Sequence, residues 1–150
     1  MRIALLTHLF KAFLRSRGVA FPLTMLVLLP ISLYAKVVDF WQPDFPTIAS
    51  QPVGRSALDH ALNGMDPVFA DIASLNQPAA LDHADLLILP YGSAAPADAW
   101  KPIESYLRSG GNLLILGGQP LRVPVASVGG KYEASRPKDT YARVLDFRHT

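Results

Sequence analysis

The stretch ADLLILPYGSAAPADAWKPIESYLRSGGNLLILGGQPLRVPV, Ala84 to Val125, reads without interruption as strand, loop, helix, Gly-Gly turn, strand and Gly-Gly loop. Leu86 to Leu89 and Leu113 to Leu116 are short, continuous apolar runs, the pattern of parallel strands covered on both faces. The segment between them predicts one amphipathic helix. Pro96 opens its first turn, Asp98 sets a carboxylate near the positive end of the helix dipole, and Gly110-Gly111 supply a left-handed stop after Ser109. Trp100, Ile103 and Leu107 recur at spacings of three and four and form the stripe expected against the sheet. Strand, helix and strand make a parallel crossover, which puts the functional edge at the carboxyl ends of the strands. Those ends are Pro90-Tyr91-Gly92-Ser93 and Gly117-Gly118-Gln119-Pro120.

Upstream, Val37 to Trp41 is a short β-rich run, and the proline-broken loop QPDFP, Gln42 to Pro46, follows its carboxyl end. Arg55 to Leu62 predicts a helix closed at Asn63-Gly64, Pro67 to Ile72 a second strand, and Ala73 to Asp82 a polar, helix-tending connection. The order is β-α-β-α-β-α-β, a doubly wound α/β domain with a mostly parallel sheet. Downstream, Arg122 to Val128 reads as an extended strand or arm, Gly129-Gly130 as a hairpin turn and Lys131 to Ala134 as its return. Tyr141 to Phe147 reads as the start of another element, and the chain is expected to be a fragment that continues beyond Thr150.

The 150 residues, half of them apolar and 17% charged, suit one domain. Gly18 to Ala35 carries no charge, and Arg2, Lys11, Arg15 and Arg17 precede it with no acid. A basic leader, an apolar core and a small residue before Lys36 predict a secretory signal peptide, cleaved after Ala35. The alternative is an uncleaved signal anchor, since 18 uncharged residues are about the minimum for a spanning helix; Pro22 and Pro30 weigh against it. The expected division is residues 1–35 for export, 36–128 for the α/β domain and 129–150 for an arm or further element. The expected location is periplasmic or extracellular, with membrane contact only through residues 18–35.

Without the leader, ten basic residues face twelve acidic ones, a net charge of −2. No Lys/Arg cluster remains, so nucleic-acid binding has no electrostatic footprint. The chain has no cysteine, which excludes disulfides, thiolate metal sites, a lipidated cysteine anchor and a cysteine nucleophile.

Leu86 to Val125 resembles the class I glutamine-amidotransferase-like domain, in the non-catalytic form related to the β-galactosidase trimerisation domain and appended to exported bacterial glycoside hydrolases. FWQPDFPTI, Phe40 to Ile48, is similar to the first strand and loop of such domains. The resemblance implies a flavodoxin-like three-layer sandwich. In catalytic relatives the turn after the strand equivalent to Leu113 to Leu116 holds a cysteine between glycines, with a histidine and an acid later. Here Gly117-Gly118-Gln119-Pro120 stands instead, with neither cysteine nor serine, so amide hydrolysis lacks its nucleophile. The expected role is a structural or interaction domain without catalytic residues, metal or cofactor. Its implied partners are a catalytic glycoside hydrolase domain in the same chain beyond residue 150 and, in a homo-oligomer, other copies.

A second reading is a glycan- or small-molecule-binding module built on Trp41, Asp44, Phe45, Tyr91, Gly92, Ser93, Gly117, Gly118 and Gln119. Aromatic faces pack against the apolar faces of sugars, and glycines let backbone amides approach an oxygen closely. The plainer explanation of the same residues is rings packed under loops and glycines in tight turns. Arg55 and Asp98 are further polar groups for that rim, and Trp100 is read as core. A third reading is a membrane-anchored hydrolase acting through Ser93 or Asp44, for which the sequence offers no histidine at an argued position. Asp59-His60 and Asp82-His83 lie in two ALDHA stretches; adjacent residues on a helix point apart, so neither pair is a local ligand set.

Overall fold

A computed structural model describes residues 35–146. The export segment expected at residues 1–35 lies outside the described residues apart from Ala35, as do residues 147–150. The strands are β1 (Val37–Phe40), β2 (Val68–Ala70), β3 (Leu86–Leu89), β4 (Ala94–Pro96), β5 (Asn112–Ile115), β6 (Val123–Val128) and β7 (Lys131–Ala134). The helices are α1 (Arg55–Ala61), α2 (Ile72–Leu75), α3 (Trp100–Arg108) and α4 (Thr140–Val144), with a 3-10 turn at Ala97–Ala99 leading into α3.

The architecture is mixed α/β. Four strands form a wholly parallel sheet in the order β2-β1-β3-β5, and β4, β6 and β7 form a second, three-stranded sheet. In the first sheet the strand order reverses between β1 and β3, because the chain steps outward from β1 to β2 and then returns to the other side. In parallel α/β sheets that reversal opens the loops at the carboxyl ends and makes them the usual place for a ligand.

Side chains alternate across the sheet, so register assigns its faces. Val38 and Phe40 of β1, Leu87 and Leu89 of β3, and Leu113 and Ile115 of β5 share one face. That face packs on Trp100, Ile103 and Tyr106 of α3, on Ala94, Ala95 and Val125 of the second sheet, and on Leu121 of the loop before β6. Burial of each large apolar side chain here contributes about 1.5–3 kcal/mol. Val37, Asp39 and Ile88 point to the opposite face and are also buried. β3 therefore fits the expectation of a strand covered on both sides, and β1 is covered in the same way. β5 departs from it: as the edge strand it alternates between exposed and half-buried, and Leu114 is 43% exposed.

The third helix ends as its glycines foretell. Gly110, at φ +95°, donates its amide to the Leu107 carbonyl, and Gly111 donates to the Tyr106 carbonyl, the two bonds of a Schellman stop. A Cβ on Gly111 would lie 2.2 Å from the Tyr106 ring. That contact lets the Tyr106 hydroxyl reach over the turn, where it donates to the Asn112 carbonyl and accepts from the Asn112 amide, each at 3.0 Å. The start of β5 is fixed in this way. The stripe facing the sheet is Trp100, Ile103 and Tyr106, with Leu107 at its margin.

Gly129 and Gly130, both at positive φ, turn β6 into β7 as the hairpin read from the sequence. β6 and β7 thus join residues on both sides of position 128. Tyr132 of β7 packs on Phe45, and Tyr141 of α4 stacks on Trp100 at 4.2 Å between centroids. Among the described residues no helix is long and apolar enough to cross a membrane.

Candidate functional site at the carboxyl edge of the parallel sheet

Three loops meet at this edge: residues 41–50 after β1, 90–93 after β3 and 116–120 after β5. Ile48 and Gly92 form an isolated parallel bridge, in which the Ile48 amide donates to the Tyr91 carbonyl at 3.1 Å and the Ser93 amide to the Ile48 carbonyl at 2.8 Å. The Ser93 hydroxyl accepts from the Gln119 amide at 2.7 Å, and the Ser93 carbonyl accepts from the Val123 amide at 2.9 Å. Ser93 is 3% exposed. Its hydroxyl is occupied in joining the β3 loop to the β5 loop, and among the described residues no histidine hydrogen-bonds to it to act as a base.

The glycines here are required by contact as well as by turn geometry. A Cβ on Gly92, at φ +65°, would lie 2.2 Å from the Ile48 carbonyl oxygen. On Gly118, at φ +66°, it would lie 2.5 Å from both the amide nitrogen and the hydroxyl oxygen of Ser93. On Gly117 it would meet Cβ of Ser50 at 2.6 Å. The close approach that glycine permits is thus made to the neighbouring loops of the same chain. Gln119 remains exposed, and its side-chain oxygen accepts from the Arg122 guanidinium.

The aromatic residues form a cluster beneath these loops. Phe45 and Tyr91 are each 6% exposed and meet edge-to-face at 5.0 Å, with Phe40 edge-on to both. The Tyr91 hydroxyl donates to the Gln42 carbonyl and accepts from the Gln42 amide, both at 2.9 Å. Burial raises its ionisation above the ordinary tyrosine range. Trp41 is half-buried against Tyr91, and Asp44 is exposed in the turn between Gln42 and Phe45 at φ +61°. The nine residues expected at the site are therefore split. Gly92, Ser93, Gly117, Gly118 and Gln119 converge in the loop junction, Phe45 and Tyr91 belong to the core beneath it, and Trp41 and Asp44 lie on the outer side of the β1 loop.

The residues read as accessory groups have separate tasks. The Asp98 carboxylate accepts from the Ser127 amide at 2.7 Å and ties the 3-10 turn to β6. The Arg55 guanidinium lies 4.4 Å over the Phe69 ring. Among the described residues no group of three metal-ligating side chains occurs.

Two polar groups escaped the sequence reading. The hydroxyl of Ser50, between Gly92 and Gly117, is buried without a hydrogen-bond partner among the described residues. Asp39, the third residue of β1, is 0% exposed, and neither of its carboxylate oxygens has a hydrogen-bond partner there. Burial pushes its carboxyl up to about 7, against the pull of the Arg55 guanidinium. The signal in the sequence was an acid inside VVDF, flanked by apolar residues in a short β-rich run.

Comparison of the chain with protein-family models, with curated proteins and with solved structures finds no match.

Proposed function

We propose that residues 36–128 and the hairpin that completes them serve as a non-catalytic, amidotransferase-like structural and interaction domain of flavodoxin-like architecture. In this reading it stands at the amino-terminal side of an exported carbohydrate-active enzyme, whose glycoside hydrolase chemistry resides beyond residue 150. The observation that carries the reading is the mutual packing of the three loops at the carboxyl edge, where Tyr91, Gly92 and Ser93 are buried while Gly117, Gly118 and Gln119 stay exposed. The hydroxyls of Ser93 and Tyr91, on the loop after β3, are committed to backbone partners in adjacent loops. The turn that would need a nucleophile is Gly117-Gly118-Gln119-Pro120. The parallel order β2-β1-β3-β5 adds support for the three-layer architecture.

The reading is tested by assaying the purified chain and the complete product of its reading frame for hydrolysis of glutamine and of aryl glycosides. The chain alone should turn over neither, and the complete product should hydrolyse a glycoside. Glutamine turnover by the chain alone, or a reading frame that closes at Thr150, overturns the proposal.

A further inference from the structure

Among the described residues neither Asp39 nor Arg55 has an ion-pair partner, and the Phe69 ring stands beside both. Asp39 stands opposite Phe69 in the parallel register of β1 and β2, so the two side chains leave the same face of the sheet on strands about 4.8 Å apart. The guanidinium of Arg55 rests over that same phenyl ring, its central carbon 4.4 Å from the centroid. Arg55 is the first residue of α1, a helix of seven residues with a single buried side chain, Leu58, and no side-chain cap at Gly54. The arginine stem is long and its helix lightly held, so the guanidinium has two places within reach.

Which place it takes depends on the charge of Asp39. A cation over an aromatic face near the surface is weakly held, whereas an ionised carboxylate inside a sheet is costly unless a cation meets it. We propose that Asp39 and Arg55 form a proton-operated switch. With Asp39 protonated the guanidinium lies on Phe69; on loss of that proton it leaves the ring for the carboxylate and draws the first turn of α1 toward the sheet.

The elements around Asp39 leave few competing charges. β2 and β3 carry none, α1 carries Asp59 and His60 besides Arg55, and Tyr91 follows β3 with its hydroxyl held by Gln42. Arg55 is the cation that acts on Asp39, and the Asp39 charge in turn discourages ionisation of Tyr91. Burial places the Asp39 carboxyl at about 7, so the switch works near neutrality. Its output is the position of α1, whose Ser56, Asp59 and His60 line an open cleft with the turn at Asn63–Pro67. The device is independent of the proposed scaffold role and survives or fails separately.

The test is a nuclear magnetic resonance titration of the whole chain from pH 5 to 9, about two units to either side of the midpoint. It follows the Asp39 carboxyl carbon and the Arg55 side-chain protons, which the Phe69 ring shifts upfield while they lie over it. The expected result is one shared midpoint near neutrality, with the ring-current shift lost as Asp39 ionises. Arg55→Gln should then raise the Asp39 midpoint, and in Asp39→Asn the Arg55 signals should not change with pH. An Arg55 resonance that stays upfield while Asp39 titrates, or moves unchanged in Asp39→Asn, overturns the switch. So does an Asp39 midpoint unmoved by Arg55→Gln, a variant at an exposed position that leaves the sheet intact.

Discussion

The hydroxyl of Ser93 accepts a 2.7 Å hydrogen bond from the amide of Gln119, joining the loop after β3 to the loop after β5 across the carboxyl edge of the sheet. Ser93→Ala removes the acceptor without changing the backbone. It should cost about 1–2 kcal/mol, the range for a buried hydrogen bond whose donor can turn to water. Urea unfolding of the variant, with its slope unchanged, measures that loss. A stability equal to that of the parent would mean that the bond does not hold the loops together.

Gly92 and Gly110 both occupy positive φ, but only Gly92 is also crowded. Gly110→Ala should cost about 1 kcal/mol, the strain of an L-residue in the left-handed region. Gly92→Ala adds a methyl 2.2 Å from the Ile48 carbonyl oxygen and should cost at least about 2–3 kcal/mol more. Thermal melts of the two variants give the comparison, and equal losses would contradict the packed junction.

Tyr91 and Tyr106 use one device at two ends of the sheet. Each hydroxyl both donates to and accepts from the backbone of a single residue, Gln42 for Tyr91 and Asn112 for Tyr106. Tyr91→Phe and Tyr106→Phe should each cost about 1–2 kcal/mol. Amide hydrogen exchange should speed up at Gln42 in the first variant and at Asn112 in the second. Loss of protection at both residues in either variant would show global destabilisation instead.

Asp39 gives stability a pH dependence of defined sign. Its carboxyl titrates at about 7 in the fold and near 4 when unfolded, so between those values the folded chain holds a proton that the unfolded chain has released. The contribution is fully present below about pH 4 and is lost as pH rises through about 7, at up to about 1.4 kcal/mol per unit. Asp39→Asn removes this dependence. The variant should gain stability relative to the parent as pH rises from 5 to 7, a range within the window between the two carboxyl values. Denaturant melts at both pH values check it, and a constant difference would mean that Asp39 does not titrate in this range.

The α/β class and the alternation of strands and helices were legible because the deciding residues act locally. LLIL in β3 has room for no other reading between its flanking turns, Gly110-Gly111 stops α3 through its own backbone, and Gly129-Gly130 makes the hairpin. The exposure of Leu114 was not legible, since an apolar run in an edge strand looks the same as one in a central strand. Nor was the fate of the loops. Tyr91-Gly92-Ser93 and Gly117-Gly118-Gln119 have the composition of a ligand cradle, and only their mutual distance reveals that they fill each other's space. Phe45 and Tyr91 went the same way: a ring beside a strand end can face solvent or the core, and the contacts among Phe40, Phe45 and Tyr91 decide for the core. Asp39 went unread although VVDF sets an acid among apolar residues, and its lack of a partner among the described residues depends on Arg55 resting on Phe69.

The commitment of the carboxyl-edge loops to one another is tested most directly by amide chemical-shift mapping of the labelled chain against glutamine and a panel of soluble oligosaccharides at millimolar concentration. Gly92, Ser93, Gly117, Gly118 and Gln119 should keep their positions with every compound. A saturable shift confined to those five residues would show a ligand site where the three loops meet, and would contradict a carboxyl edge whose loops are committed to one another.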